Sequence, residues 1–285
     1  DEGWDIDHFL HENPELKRTA YAWLTDFVGW LPMADGGPHE AALTADYNAE
    51  MVEQIARYPR LRDRSIFVGD PDDLVTDPLG PGLPTVRDWT RAHYAFAGYV
   101  TGFTPVDRAA ARAELGFQPD EPVCVVAVGG SGVGGPLLRR VIEAHPYAAK
   151  RVPGLRTVVV TGPRIDPATV PAPAGVDVRG YVPGLYRLFA ACDVAVVQGG
   201  LTTTMELTAL RRPFLYFPLL HHFEQQIHVP HRLRRHRAGT RMDYHTATPE
   251  SIGEALAAEL DRPVAYRPVP TDGARRAAAL IADLI

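Results

Sequence analysis

The feature that most restricts the fold is a set of short, wholly apolar runs that stop at glycine turns or polar clusters. Val123 to Val128 reads VCVVAV and halts at Gly129, and Val194 to Val197 halts at Gln198-Gly199-Gly200. Phe214 to Leu220 follows Pro213 and ends in His221, His222, Glu224, Gln225 and Gln226. Runs without polar alternation predict strands buried on both faces, which is the habit of parallel sheets. Further strands are expected at Arg156 to Thr161 and Val176 to Val182, with helices at Asp107 to Leu115, Pro136 to Glu143 and Leu185 to Ala191. Alternating strand and helix units predict an α/β fold with a doubly wound, Rossmann-like parallel sheet. Such sheets hold ligands beyond the carboxyl ends of their strands. That rule directs attention to the Gly129–Gly135 loop and to the stretch from Asp193 to Gln226.

Residues 1–100 are less regular. Arg18 to Val28 reads as a strand ending at Thr25-Asp26, Ala45 to Ala56 as a helix, and Arg64 to Val68 and Tyr94 to Thr101 as strands, with a Pro/Gly-rich loop from Asp70 to Pro84. So few strands do not close a doubly wound half. The chain also begins at Asp1 without a methionine, and the expectation is an amino-terminally truncated first domain over 1–100, followed by a second domain over 101–285. A basic segment runs from Gln226 to Arg237, Thr248-Pro249-Glu250 starts a helix, and a final amphipathic helix over 274–285 is expected to pack back on the first domain.

A formal net charge of −6 disfavours a nucleic-acid partner, because polyanion binding relies on basic surface. Cys124 and Cys192 sit among strand residues and read as free thiols of a reducing, cytoplasmic protein. No apolar run approaches the roughly 20 residues of a membrane span. Arg232, Arg234, Arg235 and Arg237 read as a solvated helix face, with peripheral contact to anionic lipid as the alternative.

Gly130, Gly132 and Gly135 form a GxGxxG pattern between a strand and a helix, where glycines admit a phosphate to backbone N–H groups. A nicotinamide site also needs an acid at the end of the next strand. That strand ends in Thr161-Gly162-Pro163-Arg164, so a phosphate or diphosphate site is the expectation, with a purely structural turn as the alternative. Gly199-Gly200 before Thr202, Thr203 and Thr204 is a second glycine turn, in which the threonines are suited to capping a helix. Glu206 in the first turn would accept two ribose hydroxyls, or else compensate the helix dipole. His221, His222, His228 and His231, Asp5-Ile-Asp7 and Asp70-Pro-Asp72 are too unspecific to indicate a metal.

At these residues the sequence resembles the donor-binding half of the nucleotide-sugar glycosyltransferases of GT-B fold, and within them the MurG-like group, glycosyltransferase family 28. Asp193 to Glu206 aligns without gaps, Gly199 to Glu206 is similar to a GG-x-x-S/T-T-x-E core, Gly129 to Gly132 matches a GGS loop, and His221 with Gln225-Gln226 matches H-x-x-x-Q-Q. The resemblance implies that Glu206 binds ribose, that Val182 after Gly180-Tyr181 offers backbone groups to the base, and that Gly130, Ser131, Gly200 and Thr203 surround the diphosphate, with Gly132, Arg164, Gly199 and Thr204 as further substrate-binding candidates. Gln225 and Gln226 would meet the sugar hydroxyls, and His221 of the same segment is a further substrate-binding candidate. It implies a UDP-sugar donor, UDP-GlcNAc or a related hexose, inverting transfer to a lipid-linked or small-molecule acceptor, and no cofactor or metal. Asp26 is the candidate general base. A UDP-GlcNAc 2-epimerase and a non-catalytic sugar-nucleotide-binding subunit are the alternatives. Gln198 and Glu224 depart from the family pattern.

Overall fold

The computed structural model describes residues 4–58, 61–101 and 106–285, and the side chains of residues 4 and 5 lie outside the description. The side chain of Asp5 in the Asp-Ile-Asp pattern and residues 1–3 therefore fall outside it. The chain divides into two compact units, residues 1–101 with 270–285 (unit 1) and residues 102–269 (unit 2).

Unit 1 contains α1 (Trp4–Glu12), β1 (Ala22–Thr25), α2 (Gly37–Arg57), β2 (Arg64–Val68), α3 (Val86–His93) and β3 (Ala95–Gly98). The three strands pair in parallel in the order β1-β2-β3. The helix α2 starts well ahead of the expected Ala45. Pro38 occupies its first turn, and the Glu40 carboxylate accepts the Met33 N–H at 2.8 Å. The segment before Tyr94 holds a helix that the sequence reading left unassigned. Thr85 caps it by accepting from Asp88 N, with Asp88 adding negative charge in the first turn.

Unit 2 contains α4 (Arg108–Glu114), β4 (Val123–Ala127), α5 (Gly135–Arg151), β5 (Arg156–Val160), β6 (Val176–Arg179), α6 (Tyr186–Ala191), β7 (Val194–Val197), α7 (Leu201–Ala209), β8 (Phe214–Tyr216), α8 (Val229–His236), β9 (Thr240–Arg241) and α9 (Pro249–Asp261). All six strands run parallel in the order β6-β5-β4-β7-β8-β9. Every residue of β4 and β7 is buried, as their unbroken apolar sequences require. Leu137 and Val141 of α5 pack with Val126, Val159 and Ile252 in one core, and α5 lies against α9.

Several expected boundaries move. Helix α5 passes beyond Glu143 and through Pro146, because its buried face continues through Ala148. Strand β8 stops at Tyr216, short of Leu220, and a π-helical segment, Glu224–His228, precedes α8. Thr248 caps α9 as its sequence suggests, with its side chain accepting from Ser251 N. The last helix, α10 (Gly273–Ala282), belongs to unit 1, where Ala277 packs with Ile66 and Ala97. Among the described residues no helix is long and apolar enough to cross a membrane.

Candidate functional site

Strands β4 and β7 are neighbours at the centre of the unit 2 sheet, and the order of connection reverses between them. From β4 the chain proceeds outward to β5 and β6; from β7 it proceeds the other way to β8 and β9. A reversal of this kind opens a crevice between the loops that leave the two central strands. Here it encloses a cavity of about 350 Å³, to which Gly130, Ser131, Gly199, Gly200, Thr203 and Gln225 all contribute. Gly129 has φ +74° and Gly199 φ +98°, backbone that side-chain-bearing residues adopt only under strain. The turns therefore stay narrow and bring main-chain N–H groups to the cavity wall.

The start of α7 corrects the sequence reading. Gly200, not a threonine, is the N-cap, and no side chain caps the helix. Its first N–H groups are thus left for a ligand, with the positive end of the helix dipole behind them. Thr203 lines the cavity. Thr204 is fully buried, and its hydroxyl is directed to Gly200 O at 3.1 Å and Leu201 O at 2.9 Å, so it is withdrawn from any ligand. Because the helix begins at Leu201, Glu206 falls in its second turn instead of its first. The Glu206 carboxylate is half-buried and makes no hydrogen bond or ion pair among the described residues, and desolvation pushes its pKa up to about 7.

Other expected residues lie around this crevice. Arg164 is exposed beside the glycine loop, where a Cβ on Gly132 would come within 3.2 Å of the Arg164 Cβ. Val182 follows β6 and is half-buried, next to the largely exposed Tyr181. Neither residue, nor Glu206, lines the 350 Å³ cavity itself. Gln225 and Gln226 together hold the loop after β8. The Gln225 Oε1 accepts Leu219 N at 2.9 Å, and the Gln226 Nε2 donates to Leu219 O at 2.8 Å.

A second cavity of about 470 Å³ adjoins the first and shares Val133, Gln198, Leu219 and His222 with it. His221 and Gln226 line this one, together with Arg241, Asp243, Tyr244 and His245. The last four come from the segment at and after β9, to which the sequence reading gives no role. Gln198, directly after β7, and His222, in the loop after β8, carry no assigned role in the sequence reading. The His222 Nδ1 is buried without a hydrogen-bond partner among the described residues.

Asp26 belongs to unit 1, directly after β1, and is half-buried. Unit 1 has its own cavity of about 520 Å³, lined by Trp23, Phe27, Trp30, Tyr47 and Met51, with Asp7 and Arg62 in its wall. The Arg62 guanidinium is paired with the Asp7 carboxylate, and its Nη1 donates to the Tyr94 hydroxyl at 3.2 Å. Leu43, Tyr47, Met51 and Ile55, at intervals of one helical turn on α2, were the legible signal for this wall. Cys124 and Cys192 are free and buried, and burial pushes both thiols up. Asp72 is ion-paired with Arg91 at 3.2 Å. Among the described residues the group that could gather on a metal is His8, His11 and Glu12 on α1, apart from the histidines of the 221–231 segment.

The sequence profile of the glycosyltransferase family 28 C-terminal domain matches residues 123–284. An uncharacterized glycosyltransferase of Methanopyrus kandleri is 30% identical over 179 residues, covering 62% of this chain and 50% of that protein. The UDP-N-acetylglucosamine–N-acetylmuramyl-(pentapeptide) pyrophosphoryl-undecaprenol N-acetylglucosamine transferase of Frankia casuarinae is 31% identical over 125 residues, 41% of this chain and 32% of the relative. The chain thus spans half or less of these curated relatives. Among solved structures, the calicheamicin glycosyltransferase CalG4 superposes with a TM-score of 0.54 at 15% identity, over 93% of this chain and 63% of that one. The kitacinnamycin glycotransferase gives 0.51 at 20% identity, over 87% and 59%. At such identities the likeness is one of fold, and that fold is GT-B.

Proposed function

Residues 123–284 make this chain a member of glycosyltransferase family 28, and from that membership we propose that it acts as a glycosyltransferase drawing its sugar from a uridine diphosphate donor. The observation that carries the reading is Glu206. A half-buried carboxylate without a partner among the described residues, its pKa raised to about 7, gains most from a ligand that brings hydroxyl donors. The two hydroxyls of a ribose are such a ligand. The glycine-walled cavity at the starts of α5 and α7 suits the diphosphate between ribose and sugar. Val182 is the candidate for the base, and Arg164 for the phosphates. Uridine is preferred because the Frankia casuarinae relative carries UDP-N-acetylglucosamine in its name; the thymidine diphosphate complex of a spinosyn rhamnosyltransferase, at 20% identity, makes thymidine the competitor to test.

In the proposed reaction an acceptor hydroxyl oxygen attacks the anomeric carbon from the face opposite the diphosphate. The bond from that carbon to the diphosphate oxygen breaks, and its electron pair leaves with the diphosphate. The hydroxyl proton passes to a general base, for which Asp26 of unit 1 is the candidate, and the configuration inverts. Backbone N–H groups at the helix starts stabilise the developing negative charge without a metal in the step. The aromatic cavity of unit 1 suits the apolar part of a lipid-linked or small-molecule acceptor. Cytoplasmic location with peripheral membrane contact accords with a lipid-linked acceptor.

Calorimetric titration with UDP tests the donor assignment. Glu206→Ala should weaken binding by about 1.5–3 kcal/mol, the range for hydrogen bonds to a charged group. Equal affinity in the variant, or no affinity in the unmodified chain, would overturn it. UDP binding without transfer to any acceptor would instead favour a sugar-nucleotide-binding subunit.

A further inference from the structure

The second cavity of unit 2 opens from the first across Val133, Gln198, Leu219 and His222, so a ligand whose diphosphate fills the first extends directly into the second. What it meets there differs from the sequence expectation. Gln226 is committed at both ends of its carboxamide. Its Nε2 donates to Leu219 O, and its Oε1 accepts from the Arg241 guanidinium. The Gln225 Oε1 is likewise held by Leu219 N. The glutamines fasten the loop after β8, and beside Gln198, His221 and His222 the polar lining of the cavity comes from the segment at and after β9.

That segment is well anchored. Met242 N donates to Tyr216 O at 2.9 Å, continuing the β8–β9 ladder, and the Asp243 carboxylate accepts His245 N at 2.8 Å. Arg140 of α5 donates to Tyr244 O and lies 3.8 Å from the centre of the Tyr244 ring. An aromatic face held by a guanidinium, a carboxylate with accepting capacity left over and a planar donor are what a polyhydroxyl ring requires, since each hydroxyl both donates and accepts. The volume of about 470 Å³ admits a single hexose ring and its substituents. Arg241 and Asp243 offset one another's charge, which suits a neutral sugar better than an acidic one.

Resting on the family reading of the donor site, we propose that Arg241 and Asp243 are specificity-determining residues for the transferred sugar: Asp243 accepts from its hydroxyls, and Arg241 both donates to the ring and sets the orientation of Gln226. The test is a pair of titrations on the full chain, one with UDP and one with UDP-N-acetylglucosamine, for the unmodified protein and for Asp243→Ala and Arg241→Met. Each variant should weaken UDP-N-acetylglucosamine about tenfold, as expected for loss of hydrogen bonds to a charged group, while UDP affinity stays within about twofold and reports an intact fold. Asp243→Asn, which keeps one accepting oxygen, should recover part of the loss. UDP and the sugar nucleotide weakening together, or neither weakening, would overturn the proposal while leaving the donor reading in place. Absence of UDP binding by the unmodified chain would overturn both.

Discussion

Unit 1 and unit 2 are each built from parallel strands with helices against them, but the glycine-lined cavity of unit 2 and the cavity of unit 1 are walled by different parts of the chain. In unit 2 the wall is largely main chain, held open by Gly129, Gly130, Gly199 and Gly200 at the ends of strands whose every residue is buried. In unit 1 it is side chains, the rings of Trp23, Phe27, Trp30 and Tyr47 around a buried ion pair. A main-chain wall presents N–H donors and recognises anions; an aromatic wall recognises apolar bulk. The same layering therefore supports two binding chemistries, and the difference lies in the residues at the strand ends.

A matched pair of substitutions probes how firmly each unit is held. Arg112 in unit 2 is 5% exposed and donates to Gln118 O, Ala191 O, Glu121 O and the Asp193 carboxylate. Arg62 in unit 1 is 9% exposed and serves the Asp7 carboxylate and the Tyr94 hydroxyl. Removing one partner of a buried charged network costs about 3–5 kcal/mol. Arg112→Met should lie at the top of that range and Arg62→Met lower, because fewer acceptors are orphaned. Urea unfolding with hydrogen exchange at β4 and β2 would measure the two. An equal or reversed order would break the idea that unit 2 is the more tightly fastened.

The main-chain wall makes a second demand. A Cβ on Gly134, the N-cap of α5, would stand 2.2 Å from the Val128 Cβ. Gly134→Ala must push the helix start away from β4, at a cost of about 1–3 kcal/mol typical of overpacking, and it should weaken UDP as well. Unchanged thermal stability and affinity would mean that the turn has slack. Trp30→Ala, in the side-chain wall of unit 1, should leave UDP affinity unchanged.

Glu206 carries a pH signature. Its folded pKa, about 7, lies above that of an ordinary carboxylate, so the protonated form is the one the fold favours. Below the usual carboxylate range both folded and unfolded states are protonated and stability is unaffected. As the pH rises toward 7 the unfolded state loses its proton first, and stability falls; the loss is complete above about 7. After discounting for solvent, Glu206→Gln should raise stability by about 1–2 kcal/mol at pH 8 and by nothing at pH 4. Denaturation midpoints at the two pH values measure it. Absence of a gain at pH 8 would show that the carboxylate is better solvated than its burial implies.

How far the sequence was legible follows the same division. The strands of unit 2 were readable because β4 and β7 are buried on both faces and therefore wholly apolar, and the glycine turns because positive φ demands glycine. The family motifs then ordered these pieces. Helix α3 escaped notice because its helical signal is a capped turn of mostly polar residues beside a Pro/Gly-rich loop. Arg241 and Asp243 escaped because β9 is two residues long and carries no periodicity. The cavity of unit 1 depends on Arg62, Tyr94 and α2 converging from distant positions, and only the spacing of Leu43, Tyr47, Met51 and Ile55 hinted at it.

The three consecutive threonines show the finest grain of the main-chain wall and give the smallest expected effect. Sequence reasoning treated Thr203 and Thr204 alike, since either can cap a helix or meet a phosphate. Starting α7 at Leu201 separates them by about 100° around the helix axis. Thr203 is carried to the cavity, while the Thr204 hydroxyl is turned onto Gly200 O and Leu201 O. Thr203→Val should therefore weaken UDP by about 0.5–1.5 kcal/mol, one neutral hydrogen bond. Thr204→Val keeps the β-branched shape and removes a hydroxyl bonded to carbonyls that the helix and its neighbours already serve, and it should change UDP affinity by less than about 0.3 kcal/mol. Titration of both variants decides it. A larger loss at 204 than at 203 would mean that α7 begins elsewhere when nucleotide is bound, and that the N–H groups assigned to the diphosphate are the wrong ones.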